Sequence, residues 1–81
     1  MKTIHKLKID ECYLEAKLAG DKMFEIRVND RGYQKGDAVI YTEYGISKRT
    51  THKFEITYVT GFLQQPNHVV FGERFLCTEE K

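Results

Sequence analysis

The chain has no tryptophan, one proline, two cysteines and no long apolar run, and each shortage narrows what it can be. A membrane-spanning helix needs about 20 consecutive apolar residues, so none is expected. The opening residues MKTIHKLKID intersperse lysines where a secretory leader carries an uninterrupted apolar centre, so a cytoplasmic protein with no membrane partner is expected. Cys12 and Cys77 are far apart and belong to no Cys-x-x-Cys or Cys/His cluster, which argues against zinc and redox chemistry. Cys12, within a predicted helix, reads as a buried structural thiol. His5, His52 and His68 lack metal-ligand spacing, so neither a metal nor another cofactor is expected. A dominant charge is missing as well. Against 13 Lys and Arg stand 12 Asp and Glu, for a net charge of +1. That excludes the broad basic field of a protein that holds nucleic acid mainly through phosphates, and any such binding is local.

What remains suits one globular domain covering residues 1–81, near the lower size at which a single core sustains a fold. Residues 3–9 alternate as a half-buried strand, with Ile4, Lys6 and Lys8 opposite His5, Leu7 and Ile9. Asp10 fits a helix N-cap, and the helix is expected to reach Ala19 and stop at Gly20. Leu14 and Leu18, four apart, predict its core face, with Lys17 and the glutamates outward. In residues 23–28, Phe24, Ile26 and Val28 alternate with Met23, Glu25 and Arg27, and the apolar set is expected to face the core. Turns are predicted at residues 29–32 and 35–37, and strands at residues 38–44, 54–60 and 69–75. A hairpin connection falls at residues 46–51. Phe54, Ile56 and Tyr58 line one side of their strand, and Gly72 hints at a bulge or a close approach in the last. One helix with about five strands gives an α+β domain. Its mixed sheet of five or six strands curls toward a small barrel, since closure removes exposed edges.

The densest cluster of chemistry is Gly20-x-Lys22-x-x-Glu25-x-Arg27. Four such positions match by chance in so short a chain only about once in a thousand. Glu25 and Arg27, two apart on a strand, project from one face roughly 7 Å apart. A carboxylate accepts hydrogen bonds from base amino groups, and Arg27 and Lys22 can hold phosphate or a base acceptor. The plain alternative is a same-face ion pair on a solvated strand. A reader of splayed-out bases also needs an aromatic platform, for which Tyr33, Tyr41 and Tyr44 are candidates.

This segment resembles the GxKxxExR motif of the ASCH domain, the activating-signal-cointegrator homology group of the PUA-like superfamily. The wider pattern HxLKIxxxYxxxxxxGxKxFEIRxNDRxYxxGD of small ASCH-like proteins from bacteria and their phages is matched by His5, Leu7, Lys8, Ile9, Tyr13, Gly20, Lys22, Phe24, Glu25, Ile26, Arg27, Asn29, Asp30, Arg31, Tyr33, Gly36 and Asp37. The resemblance implies a PUA-like pseudobarrel with the main helix packed across an opening. It also implies a cleft between helix and barrel that takes RNA or a nucleotide-like ligand, lined by Lys22, Glu25 and Arg27. Lys17, Asn29, Arg31, Tyr33 and His5 join the candidate ligand-binding set. One ASCH branch hydrolyses acylated cytidine with a threonine nucleophile, a lysine and a glutamate. Here Lys22 matches the lysine, Glu25 stands at the threonine, and only a short loop around residues 64–67 occupies the region that supplies the glutamate. Amidohydrolase activity on a modified nucleoside is therefore the lesser alternative, and no catalytic residue is assigned. A regulatory protein-interaction module is the third reading, and an exposed apolar patch away from the cleft would mark it.

Overall fold

The computed structural model describes residues 3–43 and 50–80. In chain order the elements are β1 (Ile4–Ile9), α1 (Glu11–Leu18), β2 (Phe24–Val28), β3 (Ala38–Glu43), β4 (Thr50–Thr60) and β5 (His68–Glu80). The five strands form one mixed sheet in the order β1-β3-β4-β5-β2, with β1 parallel to β3 and the other pairs antiparallel. The sheet curls into a half-barrel accompanied by one helix that packs on it through Leu14 and Lys17, a small α+β barrel-like fold. The expected hairpin connection lies largely outside the described residues, as does Tyr44; Thr50 and Thr51 already belong to β4.

The strand alternation of β1 holds: His5, Leu7 and Ile9 are buried and Ile4, Lys6 and Lys8 exposed. Asp10 is the N-cap in extended conformation, although its side chain makes no capping hydrogen bond. At the other end, Gly20 N donates to Lys17 O (3.0 Å) and Asp21 N to Ala16 O (2.9 Å). This pair of bonds closes the helix when the residue after the cap adopts a left-handed conformation, which Gly20 does at φ 84°.

The inner face of the half-barrel is lined by Leu7, Val39, Tyr41, Phe54, Ile56 and Phe71, all buried. Four sequence expectations fail against it. First, Leu18 is exposed and Lys17 is buried beside Leu14, because the stripe that meets the sheet runs through positions three apart, not four. Second, Phe24, Ile26 and Val28 face solvent while Glu25 is buried. The cause is register: Glu25 pairs with Phe71 and Arg27 with Val69, and paired residues share a face of the sheet, so β2 turns its charges inward. Third, Tyr58 is exposed. The pairing of β4 with β5 jumps from Ile56 opposite Glu73 to Tyr58 opposite Gly72. The extra residue, Thr57, flips the face of the rest of the strand, so Val59 packs on the core instead. Gly72 serves that bulge, since a Cβ there would lie 3.2 Å from Thr57 Oγ1. Fourth, Cys12 is exposed on the helix rather than buried. Finally, β5 continues well past Phe75, because backbone pairing with residues 50–53 extends it into a polar stretch.

Candidate functional site

β1 and β2 are the two outer strands of the sheet, and the site lies where these edges are bridged by a side-chain hydrogen bond. Arg27, on β2, spans the gap: its Nη2 donates to the Lys8 carbonyl of β1 at 2.9 Å, and its Nε donates to Glu25 Oε2 at 2.8 Å. From the loop after Gly20, Lys22 Nζ donates to Glu25 Oε1 at 2.7 Å and lies 3.1 Å from Phe24 O. The motif spacing thereby puts one carboxylate between two cations. Glu25 is buried, whereas about a quarter of each cationic side chain remains exposed, 22% for Lys22 and 26% for Arg27. They form part of the wall of an open cleft of about 460 Å³, together with Lys8, Asp10, Tyr13 and Phe24.

Behind this wall the charges continue inward. Lys17 Nζ stands 3.2 Å from Glu25 Oε1, donates to Phe24 O at 2.9 Å and bonds to Glu73 Oε1. It also lies over the Tyr41 ring, 5.0 Å from the centroid. Tyr41 OH donates to Glu73 at 2.9 Å. Such a network is stable only when each charge has partners, because desolvation is costly. Burial pushes the Glu25 carboxyl upward, but the hydrogen bond from Lys22 and the charges of Lys17 and Arg27 outweigh it and hold the group below the ordinary carboxylate value. For Glu73 the balance reverses: burial raises it despite Lys17 and the Tyr41 hydroxyl. Burial, reinforced by Glu73, also raises Tyr41. Two of the phenols expected as base platforms are therefore internal. Tyr41 is fully buried, and Tyr33 is packed against His5 and Phe71 with ring centroids at 4.7 and 5.0 Å.

The remaining candidates scatter. Lys17 belongs to the buried network and does not line the cleft. Asn29 Oδ1 accepts from Tyr33 N at 3.1 Å, a turn-stabilising bond. Arg31 lines a smaller recess with Arg27, Asp30 and Tyr33. His5 is buried and paired through Nε2 with Asp37 Oδ2 at 2.9 Å, an oxygen that also accepts from Gln34 N; this contact ties β1 to the start of β3. Among the described residues no cluster of three or more His, Cys, Asp or Glu could hold a metal, and no helix is long and apolar enough to cross a membrane. Of the residues at or behind the cleft, Glu73, Tyr13 and Phe24 were not among the expected ligand-binding residues, nor were Lys8 and Asp10. Glu73 is recoverable from sequence, since it continues in phase with Val69 and Phe71. Tyr13 and Phe24 stand in the pattern that carries the ASCH resemblance, but their shared place at the cleft depends on the packing of α1 and β2.

A family model described as Domain of unknown function (DUF3850) matches residues 4–72, a span that contains every cleft-lining residue and stops one short of Glu73. No curated protein matches the chain.

Proposed function

The chain belongs to the DUF3850 family, and we propose that it is a binding module for RNA or a nucleotide-like ligand, held in the cleft between β1, α1 and β2. The observation that carries this reading is the convergence of Lys22 and Arg27 on one cleft, both tethered to Glu25 with part of each side chain facing outward. Two cations held by a buried carboxylate are preorganised for phosphate, and their immobilisation cost is already met in the fold. Glu25 acts here as the anchor that places them. A curled half-barrel with one helix supports the pseudobarrel form that the ASCH resemblance implies. Free thiols at Cys12 and Cys77 suit a reducing cytoplasm. The hydrolase alternative draws less support, because a carboxylate held low by three cations is a poor general base.

The test is a titration of fluorescently labelled single-stranded RNA at two salt concentrations. Binding with a shallow salt dependence is expected, about 2–4 in log–log slope, because few phosphates are neutralised. Arg27→Ala should weaken it. No binding at low salt to any oligonucleotide or modified nucleoside would overturn the reading.

A further inference from the structure

Two aromatic rings stand at the cleft with no place in the core. Tyr13 on α1 is 49% exposed and Phe24 on β2 is 43% exposed, and both line the cleft. The Lys22 ammonium lies over both rings, 5.3 Å from the Tyr13 centroid and 4.8 Å from that of Phe24. A cation sits this way over a π face, not over a ring edge, so each ring presents a face to the same small volume. Lys22 is held there by its hydrogen bond to Glu25.

We propose that Tyr13 and Phe24 form a stacking clamp for the planar base of a nucleotide, a slot that the Lys22 ammonium fills in the free protein. This rests on the reading of the cleft as a nucleotide site and adds to it which residues take the base. The faces that attract an ammonium also stack on a heterocycle, and stacking tolerates every base because each has a π face. Lys22 carries its charge on a flexible four-carbon stem, so its ammonium can swing off the ring faces while the bond to Glu25 keeps it in place for the phosphate. Arg27, bonded at both Nε and Nη2, stays fixed as the second cation. A ligand that satisfies both halves of the cleft is flat and apolar on its faces and anionic beside them, as a nucleotide is. Two tyrosines expected from sequence to stack, Tyr33 and Tyr41, are buried and do not line this cleft, whereas Tyr13 and Phe24 do.

The test compares a labelled hexa-adenylate with an abasic hexamer carrying the same phosphates, both by fluorescence anisotropy. The wild-type protein should prefer the base-bearing oligomer by about tenfold or more. Tyr13→Ala and Phe24→Ala should each remove most of that preference and leave binding of the abasic oligomer unchanged. Tyr13→Phe, which keeps the ring, should retain it. Lys22→Ala should do the opposite, weakening the abasic oligomer while preserving the preference. Equal affinity of the wild-type protein for both oligomers, or an unchanged preference in Tyr13→Ala and Phe24→Ala, overturns the clamp and leaves the cleft reading standing. Failure of the wild-type protein to bind either oligomer at low salt overturns both.

Discussion

Lys17 Nζ stands 3.2 Å from Glu25 Oε1, so a helical lysine with a fully buried side chain supports the carboxylate that in turn holds Lys22 and Arg27 at the cleft. The surface of the site is thus set from inside the core, by a cation that shares its charge between Glu25 and Glu73.

Removing Lys17 leaves two carboxylates buried without their common partner. Lys17→Ala should therefore destabilise the fold by about 3–5 kcal/mol, the range for breaking a buried ion pair from one side. Leu18→Ala, one residue on and exposed, should cost less than about 1 kcal/mol. Urea unfolding of the two variants provides the comparison, and equal losses would contradict the buried placement of Lys17.

Exposure on β2 predicts a second contrast. Ile26→Ala, at 54% exposure, and Phe24→Ala should each cost below about 1 kcal/mol, whereas Phe71→Ala, fully buried on the neighbouring strand, should cost about 3–5 kcal/mol by leaving a cavity. Thermal melts followed by far-UV circular dichroism would reveal an inverted strand face if the order were reversed.

Glu25→Gln should reduce both stability and ligand affinity. The amide keeps the shape but loses the charge that holds Lys17, Lys22 and Arg27 together, so mutual repulsion moves the two cleft cations apart. Isothermal titration with a nucleotide, run beside urea unfolding, separates the two effects. A variant that binds more tightly would mean that Glu25 repels the ligand instead of placing its partners.

Stability should vary with pH in two opposite steps around the ordinary carboxylate value of 4.5. Glu73 is raised in the fold, so its contribution is fully present below that value and is lost as pH rises through its folded pKa. Glu25 is lowered, so its contribution is present above the ordinary value and is lost as pH falls through its own lower pKa. Acidifying from neutrality should first stabilise the protein as Glu73 takes up a proton, then destabilise it as Glu25 does. In Glu73→Gln the first step should vanish and the second remain. Urea midpoints measured between pH 3 and 8, about one pH unit apart, track both steps.

Local sequence was enough to establish the order of elements, the N-cap at Asp10, the stop at Gly20, the turns before β3 and the clustering of Lys22, Glu25 and Arg27 around one strand. Those features depend on local backbone geometry and on a period of two, which neighbours cannot change. It named His5 as a ligand candidate and Asp37 as a pattern position, but not that the two pair in the interior. Which face of β2 turns inward was a matter for tertiary packing. Alternation states that Phe24 and Glu25 oppose each other, but the choice between them was made by the register with Phe71 and Val69 and by Lys17 arriving from the helix to neutralise the buried carboxylate. Ordinary hydrophobic reasoning selects the apolar face there, because it treats each strand alone and omits the compensating charge. The same holds for Tyr58, displaced outward by one extra residue at Thr57, and for Tyr13 and Phe24, pattern positions that only the packing of α1 and β2 brings to one cleft.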